Sequence, residues 1–347
     1  MRFAELSADQ RRQRIDAVQA FEVWHAADRE FKHSYRGTMH WRKVGAHQYL
    51  ARKFAQVWTQ IGKRSKETER IKMDYTNQRT DLRANLTKLE KNLASMDRVT
   101  KAMNLGRVPD IAARVLRKLD DADMLGSHVV VACTHRLYAY EVRAGIFFQG
   151  ELTSTKDIDF LFDVRQRFTF IMRDARERGF IGLLKQVDSS FKKFRTYNAT
   201  NSDAYAVDII RPPHPREASH RAKEISLNPG DLEPAPIEGL QWLINAPRFE
   251  EVVIGEDGRP LRIVCVDPRA FALHKLWMSR QDSRKPEQRK RDAMQAAAVA
   301  FVVREYLGMK FDRKELAALP KELLDGIETL TKPIVEPKQK KSKSKKA

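Results

Sequence analysis

Hydrophobic positions change period along this chain, and each change marks a predicted element. Leu82, Leu86, Leu89, Leu93 and Met96 recur at alternating steps of four and three, and Met103 continues the stripe. This is a helical seam of coiled-coil type, whose partner is either the first helix or a second subunit. That first helix is predicted from Ser7, an N-cap, for about 20–25 residues, with Ile15, Val18, Phe21 and Val23 as its apolar face. Over residues 39–61 the helical period is lost. Trp41, Val44, Tyr49, Leu50, Phe54, Val57, Trp58 and Ile61, with a turn at Val44-Gly45-Ala46, predict two or three short strands. Ser65 to Glu69 opens the long helix with acids in its first turn. Pro109 opens a short helix over 109–120.

The character changes at Gly126. Val129 to Cys133 is an apolar run of the kind that forms a buried strand, and Thr134 to Val142 reads as a helix. Ile158 to Phe162, Phe191 to Tyr197 and Tyr205 to Ile210 read as strands, with a short helix over 180–187. Residues 212–236, rich in proline, histidine and charge, read as a long loop, and loops of that length are often functional. Val252 to Ile254 and Leu261 to Val266 flank Glu256-Asp257-Gly258 as a hairpin. Helices are predicted from Pro268, from about Gln288 to Tyr306, and over 313–330. The expected boundaries are a mainly helical region 1–120, a core 121–266, a helical lobe 267–331 and a disordered lysine-rich tail 332–347.

Charge sharpens this division. The net charge is +19 over 347 residues. Residues 1–120 carry 26 Lys and Arg against 14 acids, and residues 338–347 carry 6 Lys and no acid. Between them 33 bases nearly balance 32 acids. A near-neutral core is thus flanked by segments able to hold a polyanion, although basic helices and a lysine tail also serve solubility alone. Trp41, Tyr49 and Trp58, beside Arg42, Lys43, Arg52 and Lys53, read either as a base-stacking face or as a small sheet burying its aromatics. Cys133 and Cys265 sit in apolar runs, with neither a disulfide framework nor zinc spacing. The first residues have no apolar signal core and no stretch reaches membrane-span length, so a cytoplasmic location is expected.

Candidate chemistry lies in Thr155-Lys156-Asp157-Ile158-Asp159 and in Asp208. Aspartates one residue apart on a strand share a face. A third, on a second apolar strand, can complete a cluster of hard oxygen donors suited to Mg²⁺, and paired Mg²⁺ ions serve in-line displacement at phosphorus.

The order is strand, Cys133-Thr134, helix, Asp-x-Asp strand, then a later strand with a carboxylate. This resembles the DNA polymerase β nucleotidyltransferase superfamily. It is most similar to a bacterial nucleotidyltransferase family distantly akin to the AbiEii-type toxin nucleotidyltransferases. Matching stretches are Thr134 to Glu141, Thr155 to Asp159, Val207 to Pro212 and Pro268 to Leu276, within about residues 125–310. The resemblance implies an α/β (α+β) core with a mixed twisted sheet and flanking helices. It implies transfer of a nucleoside monophosphate from an NTP, with Asp157, Asp159 and Asp208 as catalytic metal ligands for two Mg²⁺ ions (Mn²⁺ substituting). Thr134, Lys275 and Arg280 would bind the nucleotide, with Asp292 supporting the same wall; a solvated helix face with ordinary ion pairs is the competing reading of these residues. His274 reads as a packed histidine, and His214 and His220 as incidental. A toxin or defence role is implied by the resemblance alone.

One departure stands out: Cys133 occupies the position where the superfamily has Gly, and a side chain there can crowd the triphosphate. Three readings follow. The first is an enzyme whose acceptor is RNA, tRNA among the candidates, or a protein hydroxyl. The second is a non-enzymatic nucleic-acid-binding protein on a degenerate nucleotidyltransferase fold. The third is an assembly protein dimerising through the helix at 82–103.

Overall fold

Ser7 and Gln10 cap each other reciprocally, each side chain accepting from the other's amide, and so fix the start of the first long helix. The structure is a computed structural model that describes residues 3–163, 173–213 and 230–332. After a two-residue strand β1 (Ala4–Glu5) come α1 (Ala8–Ser34), β2 (Thr38–Val44), β3 (His47–Phe54), β4 (Val57–Lys63), α2 (Lys66–Ala102) and α3 (Asp110–Asp121). The chain continues through β5 (Val129–Ala132), a 3-10 turn at Cys133–His135, α4 (Arg136–Ala144), β6 (Ile146–Phe147), α5 (Gly150–Thr153) and β7 (Asp157–Phe162). Next are α6 (Arg173–Val187), β8 (Lys192–Arg195), β9 (Asn198–Thr200), β10 (Ala206–Arg211), β11 (Ala235–Pro236) and α7 (Leu240–Asn245). The described chain closes with β12 (Arg248–Ile254), β13 (Pro260–Val266), α8 (Pro268–Met278), α9 (Pro286–Glu305), α10 (Lys321–Leu324) and α11 (Ile327–Thr331).

These elements form two compact units. The one built from residues 6–117 and 252–262 pairs α1 with α2 as antiparallel helices. Gln13 donates to Thr100 near one end of the pair and Tyr35 donates to Gln78 toward the other. Within the chain α1 packs on α2, where Leu93 is fully buried and Leu82, Leu86, Leu89 and Met96 are half-buried. The expected apolar face of α1 is corrected. Ala17 and Phe21 are buried, but Ile15 and Val23 are half exposed or more. The stripe that meets α2 runs Gln10, Gln13, Ala17, Phe21, at steps of three and four. Its first two members hydrogen-bond to Met103 and Thr100, so polar residues hold positions that a hydrophobicity count assigns to the surface. Where two or three strands were expected there are three, β2, β3 and β4, joined in order into an antiparallel sheet.

The other unit, residues 1–5, 118–251 and 263–347, contains a six-stranded mixed sheet. Its strand order is β5-β7-β10-β9-β8, with β11 on the end of β10. β7 and β10 run parallel, while β5 and β9 pair antiparallel on either side of them. β5 is buried throughout, and in β7 Ile158 and Phe160–Phe162 are buried, as the continuous apolar runs require. Tyr140 of α4 donates to the Val266 carbonyl and meets Phe249 and Phe271 edge-on. α9 buries Ala296, Ala298, Val299, Ala300, Val302 and Val303, small residues that let α8 approach closely. This mixed sheet with flanking helices is the α+β architecture expected.

Two further differences have local causes. The continuous helix expected over 313–330 is instead α10 and α11, separated from each other and from the preceding turns. Pro320 supplies no amide to continue a helix and stands as the cap of α10. α7 and β9 were not foreseen, being short and flanked by turn residues. His214 and His220, most of the 212–236 loop and the tail 338–347 lie outside the described residues.

Candidate active site

Asp157 and Asp159 stand two residues apart on β7, and both line a cleft of about 620 Å³. Cys133, Thr134, Arg136, Lys275, Arg284 and Asp292 line it too. Asp208 follows from sheet register. In the parallel pair β7–β10 it lies directly beside Asp159, so the two side chains leave the same face. On the far side of Asp208 the register places Asn198 of β9, whose side-chain amide donates to the Asp208 carboxylate. On the near side, Ala132 of β5 pairs with Asp159 and hands the chain to the Cys133 turn. One row across four strands therefore sets the turn and two of the carboxylates. Asp157 accepts from Thr155.

The turn holds Cys133 at φ +53, in the left-handed region. This is where the superfamily pattern has Gly, and the backbone keeps the shape a glycine would give it. The 3-10 turn Cys133–His135 leads into α4, so amides after Cys133 belong to a helix start. Thr134 is buried, and its hydroxyl accepts a long hydrogen bond from Gln295 (3.4 Å). Gln295 also donates to the Leu152 carbonyl at 2.8 Å, while its own side-chain oxygen is buried with no partner.

Lys275 is buried, with Nζ 2.7 Å from Asp292 Oδ1. Arg284 Nε approaches Asp292 Oδ2 at 2.7 Å, but neither atom has hydrogen-bond geometry, so this contact is an ion pair without an aligned bond. Arg280 is not brought to the cleft. It is exposed beyond the end of α8 and donates to Thr329. Arg284, four residues later, holds the position expected of it. Arg136, Arg284 and Gln295 escaped the sequence reading. The last carried a signal: Gln295 is the one polar residue between Ala293 and Val303, and a polar group in an apolar stretch of helix calls for a buried partner.

Electrostatics follow from crowding of like charge in a buried place. Burial pushes Asp159 up to about 6, with Asp157 and then Asp208 adding to the rise and Lys275 opposing it. Asp208 is raised by burial, against the lowering effect of the Asn198 hydrogen bond. Burial and then Asp159 raise the Cys133 thiol, which is therefore neutral. Burial lowers His135 to about 4 and His274 to about 3, so both imidazoles are neutral near pH 7. Asp159 and Asp208, side by side and raised chiefly by burial, offer with Asp157 of the same strand hard oxygen donors of the kind Mg²⁺ takes. Among the described residues no group of three or more His, Cys, Asp or Glu is placed to hold a metal ion by itself. The Asp159–Asp208 pair suits an ion that takes its remaining oxygens from water and phosphate.

Two acids of one strand, a helix-opening turn and the Lys275–Asp292–Arg284 cluster thus line one cleft. The chain belongs to the nucleotidyltransferase family, whose model matches residues 110–320, more than half of its length. No curated protein and no solved structure matches it. Membership makes the protein a transferase that takes an NTP and moves its nucleoside monophosphate. Among the described residues no helix is long and apolar enough to cross a membrane.

Proposed function

We propose that this protein is a Mg²⁺-dependent nucleotidyltransferase of the polymerase β type, akin to the AbiEii-type enzymes, that transfers an NMP to an RNA hydroxyl. The observation that carries the reading is the register of Asp208 beside Asp159, with Asp157 on the same strand at the mouth of the cleft. Asp157, Asp159 and Asp208 would hold the metal. Mg²⁺ bound there supplies charge neutralisation at the phosphates and at the attacking oxygen.

The chain's own groups do the rest. The Thr134 hydroxyl and the amides of the turn hold the triphosphate. Lys275 and Arg284, sharing the single carboxylate of Asp292, leave the wall net cationic toward the β- and γ-phosphates. Asp208 accepts the proton of the acceptor hydroxyl. A bond forms between that oxygen and the α-phosphorus, the α–β bridge breaks, and pyrophosphate leaves with the electron pair.

The choice of RNA, tRNA among the candidates, rests on the excess of bases in residues 1–120 and 338–347. A protein hydroxyl is the other acceptor class. In this reading 1–120 and the lysine tail hold the acceptor, 121–266 carries the chemistry, 267–331 closes the nucleotide wall, and the enzyme works in the cytoplasm as a toxin or defence effector. A homodimer through 82–103 would use the part of the seam that α1 leaves half-buried. The second reading, a nucleic-acid-binding protein on a degenerate site, draws on Cys133, whose side chain adds bulk at the turn.

The test is transfer of label from each α-phosphate-labelled NTP, with Mg²⁺ or Mn²⁺, to total tRNA or to protein. The Asp157→Ala/Asp159→Ala variant runs beside it. Label on RNA that the variant abolishes supports the proposal, and label on protein alone moves the acceptor to a side chain. No label with any NTP, alongside RNA binding that the variant leaves intact, favours the second reading.

A further inference from the structure

The β2–β3–β4 sheet has two faces of different chemistry. Register places Met39, Trp41, Leu50 and Arg52 on one of them. That face turns toward α2: the Tyr75 hydroxyl donates to the carbonyls of Arg36 and Gly37, Arg52 lies over Tyr75, and Lys72 lies over Trp41. Leu50 is fully buried there.

Register gives the other face His40 and Arg42 of β2, Tyr49 and Lys53 of β3, and Trp58 and Gln60 of β4. Trp58 is 38% exposed, an unusual place for the largest apolar side chain. The Arg42 guanidinium stands 4.8 Å from its ring centre and Lys53 Nζ 5.4 Å, while His40 meets the ring edge-on at 5.9 Å. Among the described residues no carboxylate pairs with Arg42, Lys43 or Lys53. The sequence explains why. Residues 31–66 contain nine Lys and Arg and no Asp or Glu, whereas the helices on either side mix both signs.

A face built only for solubility would intersperse acids and bases and would bury its tryptophan. Ordinary protein interfaces are depleted in lysine, whereas this face carries Lys53 and Arg42 in a segment rich in lysine and free of acids. Exposed cations packed around an accessible aromatic ring match a strand of unpaired bases on a phosphate backbone. Every base has a flat surface to stack, and each phosphate takes one cation.

We propose that this face of the β2–β3–β4 sheet is a docking platform for single-stranded RNA, with a base stacked on Trp58 and flanking phosphates held by Arg42 and Lys53. The choice of RNA rests on the acceptor reading above; the stacking ring and its unopposed cations do not depend on it.

The test is fluorescence anisotropy of the full chain with a labelled unstructured oligouridylate across a salt series, without NTP or metal. Trp58→Ala weakens binding by about tenfold and Trp58→Phe restores most of the loss, because stacking needs a ring. Arg42→Ala/Lys53→Ala reduces the slope of log affinity against log salt by about 1.4, two phosphates' worth for a single strand. A charge-matched control, Lys88→Ala/Lys91→Ala on the exposed side of α2, leaves the Trp58 effect untouched. A duplex of the same length binds more weakly, since its bases are already stacked. The proposal is overturned if Trp58→Ala binds like the parent, if the control pair matters as much as Arg42 and Lys53, or if no RNA binds at physiological salt. Tighter binding of an oligothymidylate of the same length overturns the choice of RNA. Binding lost with Trp58 in a protein that transfers no label would sink the catalytic reading and leave this one standing; transfer that Trp58→Ala leaves unchanged, with binding unchanged, would do the reverse.

Discussion

Lys275 and Arg284 converge on one carboxylate, Asp292, each at 2.7 Å, and the lysine and the aspartate are both buried. Two cations thus depend on a single anion, so the three side chains are not equivalent. Asp292→Asn leaves two positive groups facing each other with Arg136 nearby, and is expected to destabilise the protein by about 3–5 kcal/mol, the usual cost of orphaning a buried charge. Lys275→Met leaves Asp292 still paired with Arg284 and is expected to cost about half as much. Urea unfolding of both variants decides it. A lysine variant less stable than the aspartate variant would show that Arg284 does not hold Asp292.

How much of this was legible in the sequence depends on the period of the signal. The shared face of Asp157 and Asp159 follows from strand alternation alone, and the structure places both in the cleft. The partnership of Asp208 with Asp159 is a matter of register between distant strands, and sequence order suggested it only through the resemblance. Arg280 shows the limit of spacing arguments. It lies five residues from Lys275, on the far side of a helical turn and past the helix end, while Arg284 reaches the wall because the chain turns back between α8 and α9. The α1 face was misread for a related reason: Gln10 and Gln13 are interfacial through hydrogen bonds, which hydrophobic periodicity does not register.

Cys133 stands at φ +53, where a side chain is strained by about 1–3 kcal/mol relative to an ordinary conformation. Cys133→Gly is expected to relieve that strain while losing the packing of the sulfur, leaving stability within about 1 kcal/mol of the parent. Cys133→Val, β-branched, is expected to lose about 2 kcal/mol or more. If the sulfur crowds the triphosphate, the glycine variant also lowers KM for the NTP. Thermal melts and nucleotide titrations read the two effects separately. A valine variant as stable as the glycine variant would mean that the turn relaxes freely.

Asn198 touches Asp208 from the strand opposite the cleft and does not line the cleft itself. It is a positioning residue. Asn198→Ala should lower kcat about 10- to 100-fold, as loss of a partner that orients a metal-binding carboxylate commonly does, with KM for the NTP unchanged. Asn198→Asp, which adds a fourth negative charge to the group, should do worse than alanine. A rise in KM at constant kcat would place Asn198 in nucleotide binding instead.

Asp97 offers a pH test away from the chemistry. It lies on α2, half-buried, with Oδ1 lacking a partner. Burial raises it to about 6, against the pull of Arg259 and Arg117 and with Asp257 and Glu90 adding to the rise. Gly258, at φ +88, lies so close to the Asp97 carbonyl that a Cβ there would clash, so glycine is what lets the hairpin tip carrying Asp257 and Arg259 stand against this helix. The sign follows from proton uptake. The folded state holds the Asp97 proton up to about pH 6 and the unfolded chain only to about pH 4. The stabilisation is therefore complete below about pH 4 and is lost as pH rises through about 6. Asp257 works the opposite way, being lowered by its hydrogen bonds and ion pair with Arg117 despite its burial. Asp97→Asn isolates the effect. Its stability should equal the parent's near pH 4 and exceed it by about 1–2 kcal/mol at pH 8, after allowance for the solvent that reaches a half-buried group. Denaturant midpoints of the two proteins at pH 4, 6 and 8 supply the measurement. A constant difference across that range would mean that Asp97 does not change its protonation on folding, and a parent more stable at pH 8 would mean that Arg259 and Arg117 outweigh the burial.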